Sequence, residues 1–240
     1  MYNKINNISL LTNGGVLMNN IKLTQAYMLC AMNKSGKMSN LSTDKLVCLI
    51  AASLIELQFS NCISIIGNNI TIKNDLSSKE EHLRPLYSFI SQNPSINIKK
   101  ILNKYCCGIT NKKINELKNS IIKSLSDSGM VEESIDIGFF TKKTCYIPKI
   151  EFVEYLINLI RSELKKDTNF SEKSIALIIL LEKGKCMKKY FTKEERKEMK
   201  QKIKDMQSSP SGKLVNEMIN YIDSIMAAAI IASSSISANI

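Results

Sequence analysis

The fold of this chain is decided by the stretch TDKLVCLIAASLIELQF, residues 43–59. Its apolar residues fall on nearly every side of a helix and not along a single stripe. A helix of that kind is covered on all sides, so the stretch predicts a central, buried helix with other elements packed around it. The apolar positions are Val47, Leu49, Ile50, Ala51, Leu54, Ile55 and Leu57.

More helices are predicted on both sides of this central one. Thr24 can cap a helix that ends near Gly36. Residues 62–73 and residues 130–147 each contain two β-branched runs around a turn, and each segment therefore predicts a β-hairpin. We therefore expect one mainly α-helical domain over residues 21–240 with two small β-hairpins, preceded by a polar segment, residues 1–20, that we expect to be flexible. The later predicted helices cover residues 80–91, 96–106, 112–128, 150–166, 171–190, 193–207 and 213–232.

Composition excludes several classes of protein. The chain has 240 residues, 44% of them hydrophobic, so it is not a disordered chain, and nine glycines exclude a collagen-like one. Lys and Arg number 33 against 22 Asp and Glu, which gives a net charge of +11 and favours anionic partners. The seven cysteines are odd in number and lack a C-x-x-C motif, which is typical of reduced thiols in a cytoplasmic protein.

Residues that could carry enzymatic chemistry are few. His82 is the sole histidine, and its polar surroundings predict a solvated helix face. The pair Cys106 and Cys107 is interpreted as packing, with a reactive pair as the alternative. Since no phosphate-binding loop or zinc-ligand spacing occurs, we expect a non-enzymatic protein with no cofactor and no metal.

Two segments have apolar or basic character that permits more than one interpretation. Residues 224–240 carry no charge, but alanine and serine dilute them, so a buried C-terminal helix is favoured over a membrane anchor. Residues 183–200 are rich in lysine, and a solvated helical face is favoured over a nucleic-acid patch because acidic residues interrupt the run.

The tip of the second hairpin places two aromatic residues beside two lysines. Phe139 and Phe140 are followed by Lys142 and Lys143. Phenyl rings can enter the acyl boundary of a bilayer while lysines contact anionic headgroups. Packing of both rings on the protein's own core is the alternative that the sequence leaves open.

Four motifs share their order and spacing with a known family. They are Gly36-Lys37-Met38-Ser39-Asn40-Leu41, then residues 49–57, then Leu125 to Val131 around Gly129, and the core helix residues 174–180. With these motifs the chain resembles the Golgi phosphoprotein 3 family, whose members are mainly helical peripheral membrane proteins that bind phosphatidylinositol 4-phosphate.

The resemblance also implies a set of lipid-binding positions. The family clasps the headgroup with a Trp and three Arg, and those positions fall on Leu41, Ile50, Asn115 and Lys118. Only Lys118 keeps a positive charge, so most of the bidentate contacts that Arg makes to phosphate are replaced. The family's hairpin, which contacts membrane or partner subunits, corresponds to the segment with Phe139 and Phe140.

The resemblance therefore implies a non-enzymatic peripheral membrane protein at the cytosolic membrane face, binding anionic phospholipid headgroups of the phosphoinositide type. It is compatible with binding to cytosolic tails of membrane proteins and with homo-oligomers. The alternative is a basic cytosolic helical module that binds nucleic acid or a protein partner without lipid, with nucleic acid the less favoured ligand.

Overall fold

The computed structural model describes residues 20–38, 42–94, 96–106, 110–137, 142–166, 169–209 and 213–237. Its α-helices are α1 (Leu23–Ala31), α2 (Thr43–Phe59), α3 (Arg84–Ser91), α4 (Ile98–Tyr105), α5 (Lys112–Asp127), α6 (Ile150–Leu164), α7 (Glu172–Lys183), α8 (Lys193–Ser208) and α9 (Lys213–Ser237). Its strands are β1 (Ile63–Ile66), β2 (Asn69–Ile72), β3 (Ile96–Asn97), β4 (Val131–Ile137) and β5 (Lys142–Pro148). The prediction of a mainly α-helical fold with two small β-hairpins is confirmed.

Three helices form the centre of the fold. Every residue of α1 is buried, as are residues 46–57 of α2 and residues 174–181 of α7. These three helices pack against one another. The prediction that residues 43–59 form a central helix is therefore confirmed.

The strands form two separate antiparallel sheets. In the first, β1 pairs with β2, and β2 pairs with the two-residue strand β3. In the second, β4 pairs with β5 so that Val131 lies opposite Pro148 and Ile137 opposite Lys142. The short strand β3 was not predicted, because residues 96–97 have the apolar spacing of the helix that follows them.

Two predicted helices are interrupted in the structure. Residues 80–91 divide into a 3₁₀ turn, Ser78–Leu83, and α3, which has Pro85 in its first turn. Residues 171–190 stop being α-helical at Lys183, because Gly184 ends the helix and Lys185 takes a positive φ of 58°. A second 3₁₀ turn, Met187–Lys189, follows.

The C-terminal helix α9 extends beyond the predicted end at residue 232. Ile225 and Ala229 are buried, as predicted for this segment, whereas Ile230 is exposed. Within the described ranges, no helix has both the length and the apolar character needed to cross a membrane. Residues 1–19 lie outside the described part of the chain, so the expected flexibility of the N-terminal segment stays a prediction.

Candidate functional site

The first wall of the candidate site is a tight turn after α1. The side-chain oxygen of Asn33 accepts hydrogen bonds from the backbone N–H groups of Ser35 (3.0 Å) and Lys37 (2.9 Å). Gly36 has a φ of +67°, and a Cβ at this position would overlap the carbonyl oxygen of Tyr146 on β5. Glycine is therefore required here twice, for its backbone conformation and for the close approach of β5.

The second wall is the polar face of α5. Ile114 and Leu117 on this helix are buried, whereas Asn115 and Lys118, which directly follow them in the chain, are only half-buried. Asn115 and Lys118 are three residues apart and lie on the same side of the helix. The Lys118 ammonium donates a hydrogen bond to the carbonyl oxygen of Met38 (3.3 Å), which ties α5 to the first wall.

The third wall is the middle of strand β5. Thr144, Cys145 and Tyr146 complete an open cleft of about 470 Å³. We call it the α5 cleft. Its lining residues are Met28, Met32, Gly36, Lys37, Met38, Asn115, Lys118, Asn119, Ile122 and Thr144–Tyr146.

The charges around the α5 cleft favour an anion, but modestly. Lys37 and Lys118 contribute positive charge, and the lining residues that the structure describes include no Asp or Glu. The Glu133 carboxylate, opposite Tyr146 on β4, raises the pKa of the Tyr146 phenol, which adds no negative charge to the cleft. Two ammonium groups and the amides of Asn115 and Asn119 can together bind a phosphate or carboxylate without the bidentate geometry that Arg provides.

A comparison with known protein families matches residues 23–222 to the Golgi phosphoprotein 3 (GPP34) family. The chain belongs to this family. A search of curated proteins found no match. The family resemblance that the sequence motifs indicated is thereby confirmed over most of the chain.

The motif at residues 49–57 contains one acidic residue, Glu56, and the structure shows what this residue does. Glu56 is buried, and its Oε2 accepts hydrogen bonds from the backbone N–H (2.9 Å) and hydroxyl (2.8 Å) of Thr24, in the first turn of α1. A carboxylate at that place satisfies N–H groups that an α-helix leaves unpaired at its beginning. Glu56 therefore anchors α1, which carries Met28 to the α5 cleft.

His82 occupies a place that the sequence interpretation missed. It was predicted to be solvated, and this is wrong: the side chain is buried, with its Nε2 2.9 Å from Oε1 of Glu56. This close approach does not have hydrogen-bond geometry, and in the described part of the chain neither atom has a hydrogen-bond partner. The 3₁₀ turn directs Glu80 and His82 inward and leaves Glu81 exposed. The sequence did contain a signal for this contact. Glu56 stands alone among the apolar residues of α2, and a buried charge requires a partner, which could have been the sole histidine.

The lipid-binding positions implied by the Golgi phosphoprotein 3 resemblance divide into three groups. Asn115 and Lys118 line the α5 cleft together. Ile50 is 0% exposed in the middle of α2 and presents no atom to a ligand. The expectation that Ile50 lines a headgroup site is therefore not met, because its side chain is buried in the core. Leu41 lies outside the described residues.

Two of the four expected membrane-contact residues lie on the described part of the β4–β5 hairpin. Lys142 and Lys143 belong to β5, where their backbones pair with Ile137 and Asp136 of β4. Phe139 and Phe140 lie outside the described residues, so their contact with a membrane stays a prediction.

Proposed function

We propose that this member of the Golgi phosphoprotein 3 family is a peripheral membrane protein that binds anionic phospholipid headgroups at the cytosolic face of a membrane. One observation supports this most strongly: Asn115 and Lys118, two positions that the family uses for the headgroup, line the same open cleft. The α5 cleft is our candidate for the headgroup site.

The β4–β5 hairpin adjoins this cleft and supplies a candidate membrane contact. Strand β5 lines the cleft with Thr144–Tyr146 and continues back toward Lys142 and the tip of the hairpin. On β4, Ile135 is 64% exposed, which is unusual for a large apolar side chain. A headgroup in the cleft and apolar side chains in the acyl boundary would thus engage one membrane surface.

The expected specificity is for negative charge more than for one phosphoinositide. Each lysine near an anionic membrane surface contributes about 1 kcal/mol. Lys37, Lys118, Lys142 and Lys143 would together hold the protein on such a surface, although Asn115 stands in the cleft where the family resemblance implies an arginine that binds one headgroup. We therefore propose similar affinity for phosphatidylserine and phosphatidylinositol 4-phosphate at equal surface charge.

Flotation with lipid vesicles tests this proposal. The vesicles are neutral phosphatidylcholine, or the same lipid with phosphatidylserine or phosphatidylinositol 4-phosphate at matched charge, in low salt and in about 0.15 M salt. We expect binding to both anionic vesicles, weaker at the higher salt, and little binding to the neutral ones. Substituting both Phe139 and Phe140 by Ala should reduce it, as should Lys142→Glu.

The control for Lys142→Glu is Lys99→Glu, which changes the same charge at an exposed position of α4. If binding to anionic vesicles is the same in the wild type and in the Phe and Lys142 variants, the hairpin has no part in it. If no vesicle is bound, while duplex DNA is bound with a steep salt dependence, the alternative of a nucleic-acid-binding module replaces our proposal.

A further inference from the structure

A second concavity lies between α7 and α8 and has a volume of about 410 Å³. We call it the cationic groove. It shares no lining residue with the α5 cleft, and the inference drawn from it goes beyond membrane binding. Its floor is apolar, with Ile178, Met187 and Met199 buried and Ile203 partly buried. Methionine side chains adapt to differently shaped apolar partners, so this floor can accept more than one apolar side chain.

The rim of the cationic groove carries four cations and one anion, Glu182. Lys185 forms an ion pair with Asp44, and Lys200 forms one with Glu182 (2.5 Å). In the described part of the chain no carboxylate pairs with the other two cations, Lys188 and Arg196. The rim therefore has a surplus of positive charge directly above an apolar floor.

Helix α8 separates its charges in a way that reinforces this rim. Arg196, Met199, Lys200 and Ile203 follow the spacing of one helical face, and they are the α8 residues of the groove. At about 100° per residue, the acidic residues Glu194, Glu198 and Asp205 fall on the opposite side of the helix. The exposed lysines Lys193, Lys197 and Lys204 lie between the two on one flank of the groove face, and Glu195, which pairs with Arg161, lies on the other flank.

The connection that forms one wall of the groove, residues 184–192, is held firmly by the rest of the fold. Lys189 donates a hydrogen bond to the carbonyl oxygen of Met32 (2.7 Å), and Tyr190 donates one to that of Cys30 (2.7 Å). Arg161 donates to the carbonyl oxygen of Tyr190 (2.7 Å) and to Glu195 (2.7 Å). Met187 and Lys188 are therefore positioned before any ligand arrives.

We infer that the cationic groove binds a short acidic amphipathic segment of a partner protein. Leucine-like side chains on one face of such a segment would enter the groove and pack on Met187 and Ile203, with Met199 directly beneath them. Its flanking carboxylates would pair with Lys188 and Arg196. Amphipathic helices bind grooves in this way. Charge complementarity then requires that the partner segment be negatively charged.

Other anionic partners fit this shape less well. A bilayer presents a flat surface and cannot follow a concavity of about 410 Å³ between two helices, whereas single side chains can enter it. A nucleic acid would place charged phosphates over an apolar floor and would leave that floor without an apolar partner. Both are therefore treated as outcomes of the test.

The test uses a fluorescein-labelled helical peptide of about 16 residues with leucine at i, i+3, i+4 and i+7 and flanking glutamates. Two companion peptides replace the glutamates by lysine or the leucines by serine. We expect micromolar affinity for the acidic amphipathic peptide by fluorescence anisotropy, and at least about tenfold weaker binding of both companions.

Two double variants locate the site. Lys188→Glu with Arg196→Glu should weaken binding of the peptide at least about tenfold. The matched control, Lys99→Glu with Lys100→Glu, changes the net charge equally on α4 and should leave affinity within about twofold. Both proteins are first shown to be folded by circular dichroism and thermal unfolding.

Methyl spectra of methionine-labelled wild-type protein give a second readout that does not depend on any variant. The acidic peptide should shift the methyl signals of Met187 and Met199 and leave those of Met28 and Met32, in the α5 cleft, unchanged. The inference is overturned if the acidic peptide does not bind, if both double variants weaken it equally, or if the shifted signals are those of the cleft. It is also overturned if duplex DNA or anionic vesicles, and not the peptide, shift Met187 and Met199.

Discussion

The α5 cleft and the cationic groove are both concave and both lined by lysine, yet they use that charge differently. In the cleft, Lys118 donates to the carbonyl oxygen of Met38, and amides surround it. In the groove, Lys188 and Arg196 stand above an apolar floor. The cleft is therefore suited to a small polar anion, and the groove to an anion attached to apolar side chains. Family membership pointed to the first and gave no indication of the second.

The largest expected effect comes from breaking the anchor of α1. Glu56→Ala would leave His82 and the donors of Thr24 buried without their partner, which typically costs about 3–5 kcal/mol. We expect a loss of that size in the free energy of unfolding in urea. Because α1 carries Met28 and Met32, vesicle binding should fall as the variant unfolds.

The control for Glu56→Ala is Glu81→Ala, which removes an exposed ion pair with Arg84. That variant should unfold almost like the wild type, since exposed pairs contribute little. Equal stability of Glu56→Ala and the wild type would mean that the buried contact of Glu56 with His82 does not support the fold.

The next largest effect concerns Gly36, in the turn that lines the α5 cleft, compared with Gly67, in a turn with open space around it. Gly36→Ala should destabilise the protein by about 3 kcal/mol, because a left-handed backbone and a collision with β5 act together. Gly67→Ala shares the positive φ but has open space around it, so about 1 kcal/mol is expected. Urea unfolding of both variants measures the difference. If both lose the same free energy of unfolding, the close contact between Gly36 and Tyr146 does not contribute to stability.

A smaller effect concerns the wall of the groove. Arg161→Ala removes hydrogen bonds to Glu195 and Tyr190, and we expect a loss of about 2 kcal/mol at pH 7. The hydrogen bond from Arg161 and its positive charge lower the pKa of Glu195, so this contribution is present above the usual pKa and declines as the pH falls through the lowered one. The stability difference between wild type and variant should therefore narrow below about pH 4.5. A difference that stays constant down to acid pH would show that Glu195 is not the partner.

The smallest effect distinguishes the two concavities by ligand. Lys118→Ala should weaken binding to anionic vesicles about fivefold, as expected for one lysine near a charged surface. It should leave binding of the acidic peptide unchanged, whereas Lys188→Ala should do the reverse. Flotation and anisotropy on the same two variants measure this, and equal effects on both ligands would mean that only the overall charge matters.

Much of the fold could be predicted because the information is local. The all-round apolar character of residues 43–59 depends only on neighbours along a helix, whereas Asn115 and Lys118 could be named only from the resemblance to a known family. The parts that escaped prediction depend on partners distant in the chain. The burial of His82 follows from its contact with Glu56, and the close approach at Gly36 follows from the position of Tyr146. Neither contact is visible in the local sequence.

The cationic groove illustrates the same limit. The lysines of residues 183–200 were predicted to be a solvated helical face, but the chain leaves the helix at Gly184 and turns Lys189 toward Met32. That turn brings Met187 and Lys188 beside α8. The spacing of the residues alone could not show it, because it results from the packing of the connection on α1.

The most direct test of the membrane claim is a methionine-methyl titration with a soluble short-chain anionic phospholipid. Met28, Met32 and Met38 line the α5 cleft, whereas Met187 and Met199 line the cationic groove. We predict that the lipid shifts the cleft methionines and leaves those of the groove in place, and that Lys118→Ala weakens the response. Unchanged cleft signals, or shifts confined to Met187 and Met199, would contradict the account.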